Sequence, residues 1–255
     1  MLEPQCAVTD QSQCVLAPDV IVISAQDGTA RLLDMSGRSY AVSAIGARML
    51  QGTLGQGTAA TVHSIAARYR VDTTQVHSDL AAFLRALGKA CLICRLRTRW
   101  RIRQASLVMT SLFLLPALRG IYLCAHSLTS RAWALLTLAR LALPLFGWVR
   151  TVAAWQQFHS RTLSEGRSPQ HKATLIAAID TAVRDEAARH FLTMECKERA
   201  LCCWSLARAA GLPATLVVGI NTFPLQGHCW CEVDHRIFSD DRDRCVRFQP
   251  VITYA

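Results

Sequence analysis

Cys196, His228 and Asp240 are the side chains of this 255-residue chain whose types and order suit thiol chemistry. A helix is predicted to start at Cys196, after a polar break at Thr193. Free backbone N–H groups and the positive end of a helix stabilise a thiolate, so its pKa is expected below the ordinary value of about 8.5. Lys197 and Arg199 add positive charge. A nucleophilic thiolate needs a base. His228 opens the strand-like run His228-Cys229-Trp230-Cys231-Glu232-Val233, and Gly227 before it leaves room for exposure at a sheet edge. The base needs an acceptor to orient it, and Asp240 lies at the end of the next strand. Nucleophile on a helix, base on a strand and acid beside it is the working order of thiol hydrolases. Residue types alone leave a second reading open. With eleven cysteines and eight histidines some such pair always arises, and the thiols also read as buried structural residues.

The elements that must position these groups are legible in periodicity and turn signals. Helices are predicted over Thr174–Phe191 and Cys196–Ala210, the second closed by Gly211. Cys202 and Cys203 fall inside it with Trp204 and Leu206, as core residues. Thr215–Ile220, Cys229–Val233 and Arg236–Phe238 read as strands, with Cys229 and Cys231 on one face. A tight turn at Asp234-His235 pairs Val233 with Arg236 and Cys231 with Phe238. The plain hairpin register then puts Asp241 opposite His228. A one-residue bulge would bring Asp240 there instead.

Upstream the chain divides by charge. Its net charge is +10. Residues 1–90 carry seven basic and seven acidic side chains, and residues 171–255 carry ten of each. Residues 91–170 hold eleven basic groups and one acid, Glu165. Five arginines surround Trp100 between residues 95 and 103, and Gln104–Leu118 is a charge-free run of fifteen residues. That is shorter than the roughly 18–20 residues that span a bilayer. Pro116 and Pro144 are expected to break the helical pattern of this segment. The plain reading is buried helices whose arginines sit at turns or snorkel; contact with a membrane surface and a docking face for a partner enzyme are the alternatives. Residues 160–172 read as a linker.

At the front, residues 1–18 read as a loose lead-in. Strands are predicted at Val20–Ser24, Thr29–Asp34 and Ser39–Val42, with turns at Asp27-Gly28 and Ser36-Gly37. Three helices come next. Ser43 caps one that runs to about Gln51, the second spans Thr58–Tyr69, and Thr73 caps a third that ends at Gly88. Ala90–Ile93 returns as a short strand or a tail. This is a small winged-helix-like module. With Ser39–Val42 as an open edge, a peptide adds there as another strand, and Tyr40, Asp79 and Phe83 line its groove. Tyr40 and Phe83 read equally as core.

Residues 174–255 resemble the transglutaminase-like cysteine peptidase of lasso peptide maturation. The resemblance rests on Cys196-x-x-Arg199-Ala200-Leu201, on Gly211-Leu212-Pro213-Ala214-Thr215-Leu216-Val217-Val218-Gly219, on His228-x-Trp230-x-Glu232-Val233 and on Asp240. Residues 20–93 resemble the PqqD-like element that grips the leader of a ribosomal precursor. The implied fold class is α+β, a winged-helix-like (PqqD-like) N-terminal domain plus a papain/transglutaminase-like C-terminal domain with a helical lead-in. The implied boundaries are 1–94, 95–170 and 171–255. The implied activity is a leader-dependent cysteine peptidase with Cys196, His228 and Asp240 as its catalytic set, and the resemblance thus prefers Asp240 to Asp241. The implied partners are the leader of a precursor peptide and an asparagine-synthetase-like cyclase. The alternatives are a precursor chaperone that docks the cyclase, or transamidation through the same thioester.

Other motifs are weaker. Cys91-x-x-Cys94 has zinc or redox spacing, but no second such pair stands at ligand distance, so no metal and no cofactor are expected. Nucleic acid is not expected as a partner, because the third helix offers only Arg85 and Lys89 in a neutral module. No secretory signal opens the sequence, and the compartment is expected to be cytoplasmic with reduced thiols.

Overall fold

The computed structural model describes residues 14–95, 110–159, 168–222 and 225–255. The arginine cluster around Trp100 and most of the predicted linker lie outside the described residues. The chain divides into two compact units, Met1–Gln104 and Ala105–Ala255.

In the first unit β2 (Val20–Ser24), β3 (Ala30–Asp34) and β4 (Ser39–Val42) form an antiparallel sheet in that order. Asp27 and Asp34 close its two turns by accepting from Thr29 and Ser36. A glycine in each turn has positive φ, 83° at Gly28 and 101° at Gly37. Ser43 accepts from Gly46 N and starts α1 (Ala44–Gln56), which runs one turn beyond the expected end. α2 (Thr58–Tyr69) and α3 (Thr73–Lys89) complete the helices. Asp72, not Thr73, caps α3, because its carboxylate accepts from both Thr74 N and Gln75 N. Leu32, Leu50, Leu80 and Leu92 are buried centres of the core. The expected loose lead-in is only partly so. Cys14–Leu16 is a strand, β1, paired antiparallel with β5 (Ile93–Arg95). A three-residue apolar stretch has no strand signal until a partner some eighty residues away supplies its hydrogen bonds.

The second unit layers helices against one face of a sheet. A π-helical turn (Thr110–Leu114) leads into α4 (Leu115–Cys124), then α5 (Leu128–Phe146), α6 (Trp148–His159), α7 (Pro169–Arg189) and α8 (Cys196–Ala209). β6 (Thr215–Thr222), β7 (Leu225–Val233), β8 (Arg236–Phe238) and β9 (Gln249–Tyr254) form an antiparallel sheet ordered β8-β7-β6-β9. A short helix, α9 (Arg242–Cys245), lies between the last two. Pro116 and Pro144 do not interrupt the helices. Pro116 occupies the first turn of α4, and Pro144 lies in the last turn of α5, where it removes a single backbone bond. α7 begins at Pro169, so the expected boundary at 171 falls inside a helix. α8 is the central helix, buried from Ala200 through Ala207. Two arginines of the described part of the basic stretch are tied into this unit. Arg131 donates to Ala125 O at 2.7 Å beside Tyr122, and Arg140 pairs with the buried Glu198 at 3.1 Å. Among the described residues no helix is long and apolar enough to cross a membrane.

Candidate active site

The N-terminus of α8 carries Cys196 as its first residue. Glu195 is the N-cap and forms a capping box with Glu198, whose Oε2 accepts from Glu195 N at 3.0 Å. Arg140 holds the other oxygen of Glu198, so the start of α8 is clamped by a buried carboxylate. The Cys196 thiol accepts a hydrogen bond from the backbone N–H of Cys229, the residue after His228. The start of α8 and the strand of His228 therefore meet at Cys196 and Cys229. The expected thiolate is not found. Burial pushes the Cys196 thiol up, and it outweighs the lowering by the Cys229 N–H, Lys197 and Arg199.

His228 lies within β7, opposite Gly219 of β6, and is 3% exposed. The expected exposure at a sheet edge is thus corrected. The backbone is at an edge, because β8 pairs β7 only from Cys231 onward, but the rings of Trp230 and Phe248 cover the imidazole at 6.0 and 4.8 Å. Gly219 makes this packing feasible, since a Cβ there would lie 2.6 Å from the Trp230 ring. Burial also lowers the His228 pKa. Asp240 opposes that shift, and Arg244 and Arg199 reinforce it.

The hairpin keeps the register read from the sequence, with Val233 opposite Arg236 and Cys231 opposite Phe238. Asp234 and His235 form its turn with φ of 49° and 63°, the left-handed pair of a type I′ turn. The expectation that this register places Asp241 opposite His228 fails at Ser239. That residue turns left-handed at φ 75°. Its hydroxyl accepts from Cys231 N at 3.2 Å, and its own N–H donates to Asp180 Oδ1 at 3.0 Å. The strand ends there and the next side chain swings inward. Asp240 Oδ2 lies 3.2 Å from His228 Nε2. The contact has ion-pair distance without the alignment of a hydrogen bond, and Nε2 is otherwise unpartnered. Asp241 points to solvent and pairs with Arg184 at 3.6 Å.

The structure thus brings His228 and Asp240 together and sets Cys196 against the strand of His228. No hydrogen bond joins the thiol to the imidazole among the described residues. Arg199, read from the sequence as nearby charge and as part of the Cys196-x-x-Arg199 motif but given no role in the site, donates to Asp240 Oδ2 at 3.1 Å. Its i+3 spacing from Cys196 was the available signal. Cys202 and Cys203 are fully buried inside α8.

Residues 133–253 match the family model of the transglutaminase-like superfamily, and residues 21–93 match that of coenzyme PQQ synthesis protein D, PqqD. The chain is a PqqD domain fused to a transglutaminase-like domain. This is the two-part organisation of lasso peptide B proteins that its motifs resemble. No curated protein and no solved structure matches the chain. The fusion joins a family of precursor-peptide recognition to one of cysteine-protease-like enzymes. The transglutaminase-like match begins at Trp133, within α5, and so takes in most of that helix of the basic segment. In the PqqD domain β4 is an outer strand of its sheet. Tyr40 and Phe83 are half-buried against the core, while Asp79 is exposed and accepts from Gln75 at 3.0 Å. A Cβ on Gly46 would lie 2.9 Å from Val42 and 3.5 Å from Phe83, so α1 packs closely against the end of β4 and against Phe83 of α3. Among the described residues no group of three His, Cys, Asp or Glu side chains is placed to hold a metal ion.

Proposed function

We propose that the chain is a leader-dependent cysteine peptidase, which removes the leader from a ribosomally made precursor during lasso peptide maturation. The observation that supports it most is Cys196 at the first turn of α8, hydrogen-bonded to the strand whose preceding residue is His228 with Asp240 behind it. Asp240 at Nε2 leaves Nδ1 of the imidazole for the thiol. With the thiol pKa raised and the imidazole pKa lowered, both rest neutral, so His228 acts as a general base during attack rather than as one half of a standing ion pair. Cys196 Sγ bonds to the scissile carbonyl carbon as His228 takes the thiol proton. The N–H of Cys196, free in the first helical turn, faces the developing oxyanion. His228 then protonates the leaving amine, and water hydrolyses the thioester to release the free leader.

The PqqD domain captures the leader as an added strand at β4, with Tyr40, Phe83 and Asp79 along the groove. Tethering raises the local concentration of the scissile bond. The cyclase that would use the new α-amine is a separate protein.

The test is mass spectrometry of a precursor peptide encoded beside this gene after incubation with the purified chain. Leader and core masses are expected for the wild type. Cys196→Ala should bind the leader without cleaving, and Cys202→Ala should cleave. Cleavage by Cys196→Ala would overturn the assignment. Binding without cleavage by the wild type would favour the chaperone reading. Transfer of the leader to an amine of a second peptide, in place of release of the free acid, would favour transamidation.

A further inference from the structure

The helix of the nucleophile and the pair that would deprotonate it are joined through Arg199, one turn after Cys196. Its Nη2 lies 3.1 Å from Asp240 Oδ2, the same oxygen that faces His228 Nε2 at 3.2 Å. The other oxygen, Oδ1, accepts from Asp241 N at 2.8 Å. The Arg199 and Asp240 side chains are 22% and 6% exposed. Arg199 Nε is buried and makes no hydrogen bond. Leaving a buried donor unpaired is costly, so the guanidinium is placed for its carboxylate contact and not for full satisfaction of its donors.

We infer that Arg199 is a positioning residue. It ties the Asp240 carboxylate to the helix of Cys196, so that acid, base and thiol keep one spacing, and it sets how strongly that carboxylate acts on His228. The inference rests on Cys196, His228 and Asp240 forming the reaction centre. The groups facing His228 are Asp240 from the segment after β8, Arg199 from α8 and Arg244 from α9, with the Trp230 and Phe248 rings over the imidazole. Arg244 approaches the shared oxygen at 3.7 Å and is 58% exposed, so Arg199 is the closer and drier of the two cations. A carboxylate divided among two guanidinium groups and an imidazole is a weaker partner for each. Lysine would keep the charge but not the planar fork.

The test tracks the His228 imidazole by NMR across pH in the full chain with labelled histidine, its signal identified by loss in His228→Gln. In Arg199→Gln a neighbouring cation disappears and Asp240 is released to His228. Both effects favour the protonated ring. At the pH where wild-type His228 is half protonated, the ratio of charged to neutral ring should rise at least about threefold. Arg242→Gln, an exposed neighbour on the same surface, should leave it unchanged. Arg199→Lys should titrate like the wild type but cleave more slowly. An unmoved His228 in Arg199→Gln, or an equal movement in Arg242→Gln, overturns the inference. If Arg199→Gln fails to fold, Arg199→Lys decides, and a rise there, with the charge kept, overturns it. The two readings fail separately. Cleavage by Cys196→Ala removes the peptidase assignment even where His228 responds to Arg199→Gln, and an unmoved His228 removes the Arg199 linkage even where Cys196→Ala is dead.

Discussion

A methyl group at Gly219 tests how tightly the base is packed. An alanine Cβ there would sit 2.6 and 2.7 Å from two carbons of the Trp230 ring and 2.9 Å from Phe248 Cβ. Ordinary carbon contacts begin near 3.4 Å, so the overlap is about 0.5–0.8 Å on both sides at once. Neither neighbour yields easily. The indole is held by its Nε1 donating to Glu232 Oε1 at 2.8 Å, and the Phe248 atom is next to the backbone. Overpacking of this kind costs about 1–3 kcal/mol. At about 2–4 °C per kcal/mol for a unit of this size, the apparent Tm of Gly219→Ala should fall by about 2–12 °C. Trp230 stacks on His228 at 6.0 Å, so the displaced indole should also move the imidazole and lower activity at temperatures where the variant is folded. The control is Gly55→Ala in α1, where nothing lies within 4 Å of the new methyl. Helix propensity alone should make it neutral to stabilising by about 0.5–1 kcal/mol. Thermal melts monitored by circular dichroism decide the matter. A Gly219→Ala melt that overlays the wild type would refute the packing argument, as would an equal fall in Gly55→Ala.

Three further outcomes rest on the same geometry. Asp240→Asn should lower turnover steeply with leader affinity unchanged, while Asp241→Asn should be mild; kinetics showing the reverse ranking would return the acid to the plain hairpin register. Glu198→Gln weakens the clamp on the start of α8, and because Arg140 is 38% exposed the loss should be nearer about 1–2 kcal/mol than the value for a fully buried pair, read from urea midpoints. His159 is buried, with Nε2 2.8 Å from Ser205 Oγ, and desolvation lowers its pKa to about 4. Between that value and the ordinary 6.5 of the unfolded chain the unfolded state binds the extra proton, so stability should fall as pH drops through this window and level off below it. Urea unfolding at about pH 7 and about pH 5 measures the slope, and His159→Asn should flatten it.

Local signals carried much of this architecture. The β2-β3-β4 meander, α2 and the Asp234-His235 turn stand where turn residues and periodicity put them, because each depends on neighbours within a few positions. What escaped depends on distant partners. β1 has no identity without β5, and β9 is a strand because β6 offers it an edge. The position of Asp240 is the clearest case. Strand alternation favours Asp241, and the answer turns on a left-handed serine held from one side by Cys231 and from the other by Asp180 on α7. Helix-end electrostatics pointed to a thiolate at Cys196. Burial, which no sequence pattern displays, reversed the sign.

The order of the strands in the second sheet has a bearing on synthesis. β6 lies between β7 and β9, and β9 spans residues 249–254, so the sheet behind His228 stays open along one side until that last strand has left the ribosome. Asp240 and Cys196 are themselves separated by more than forty residues and meet only through tertiary packing. The PqqD domain, whose final strand is β5 at Ile93–Arg95, has all its parts much earlier, and domains fold as units with the N-terminal one first. On the proposed reading, a nascent chain would acquire its capacity to hold a precursor before its capacity to cut one.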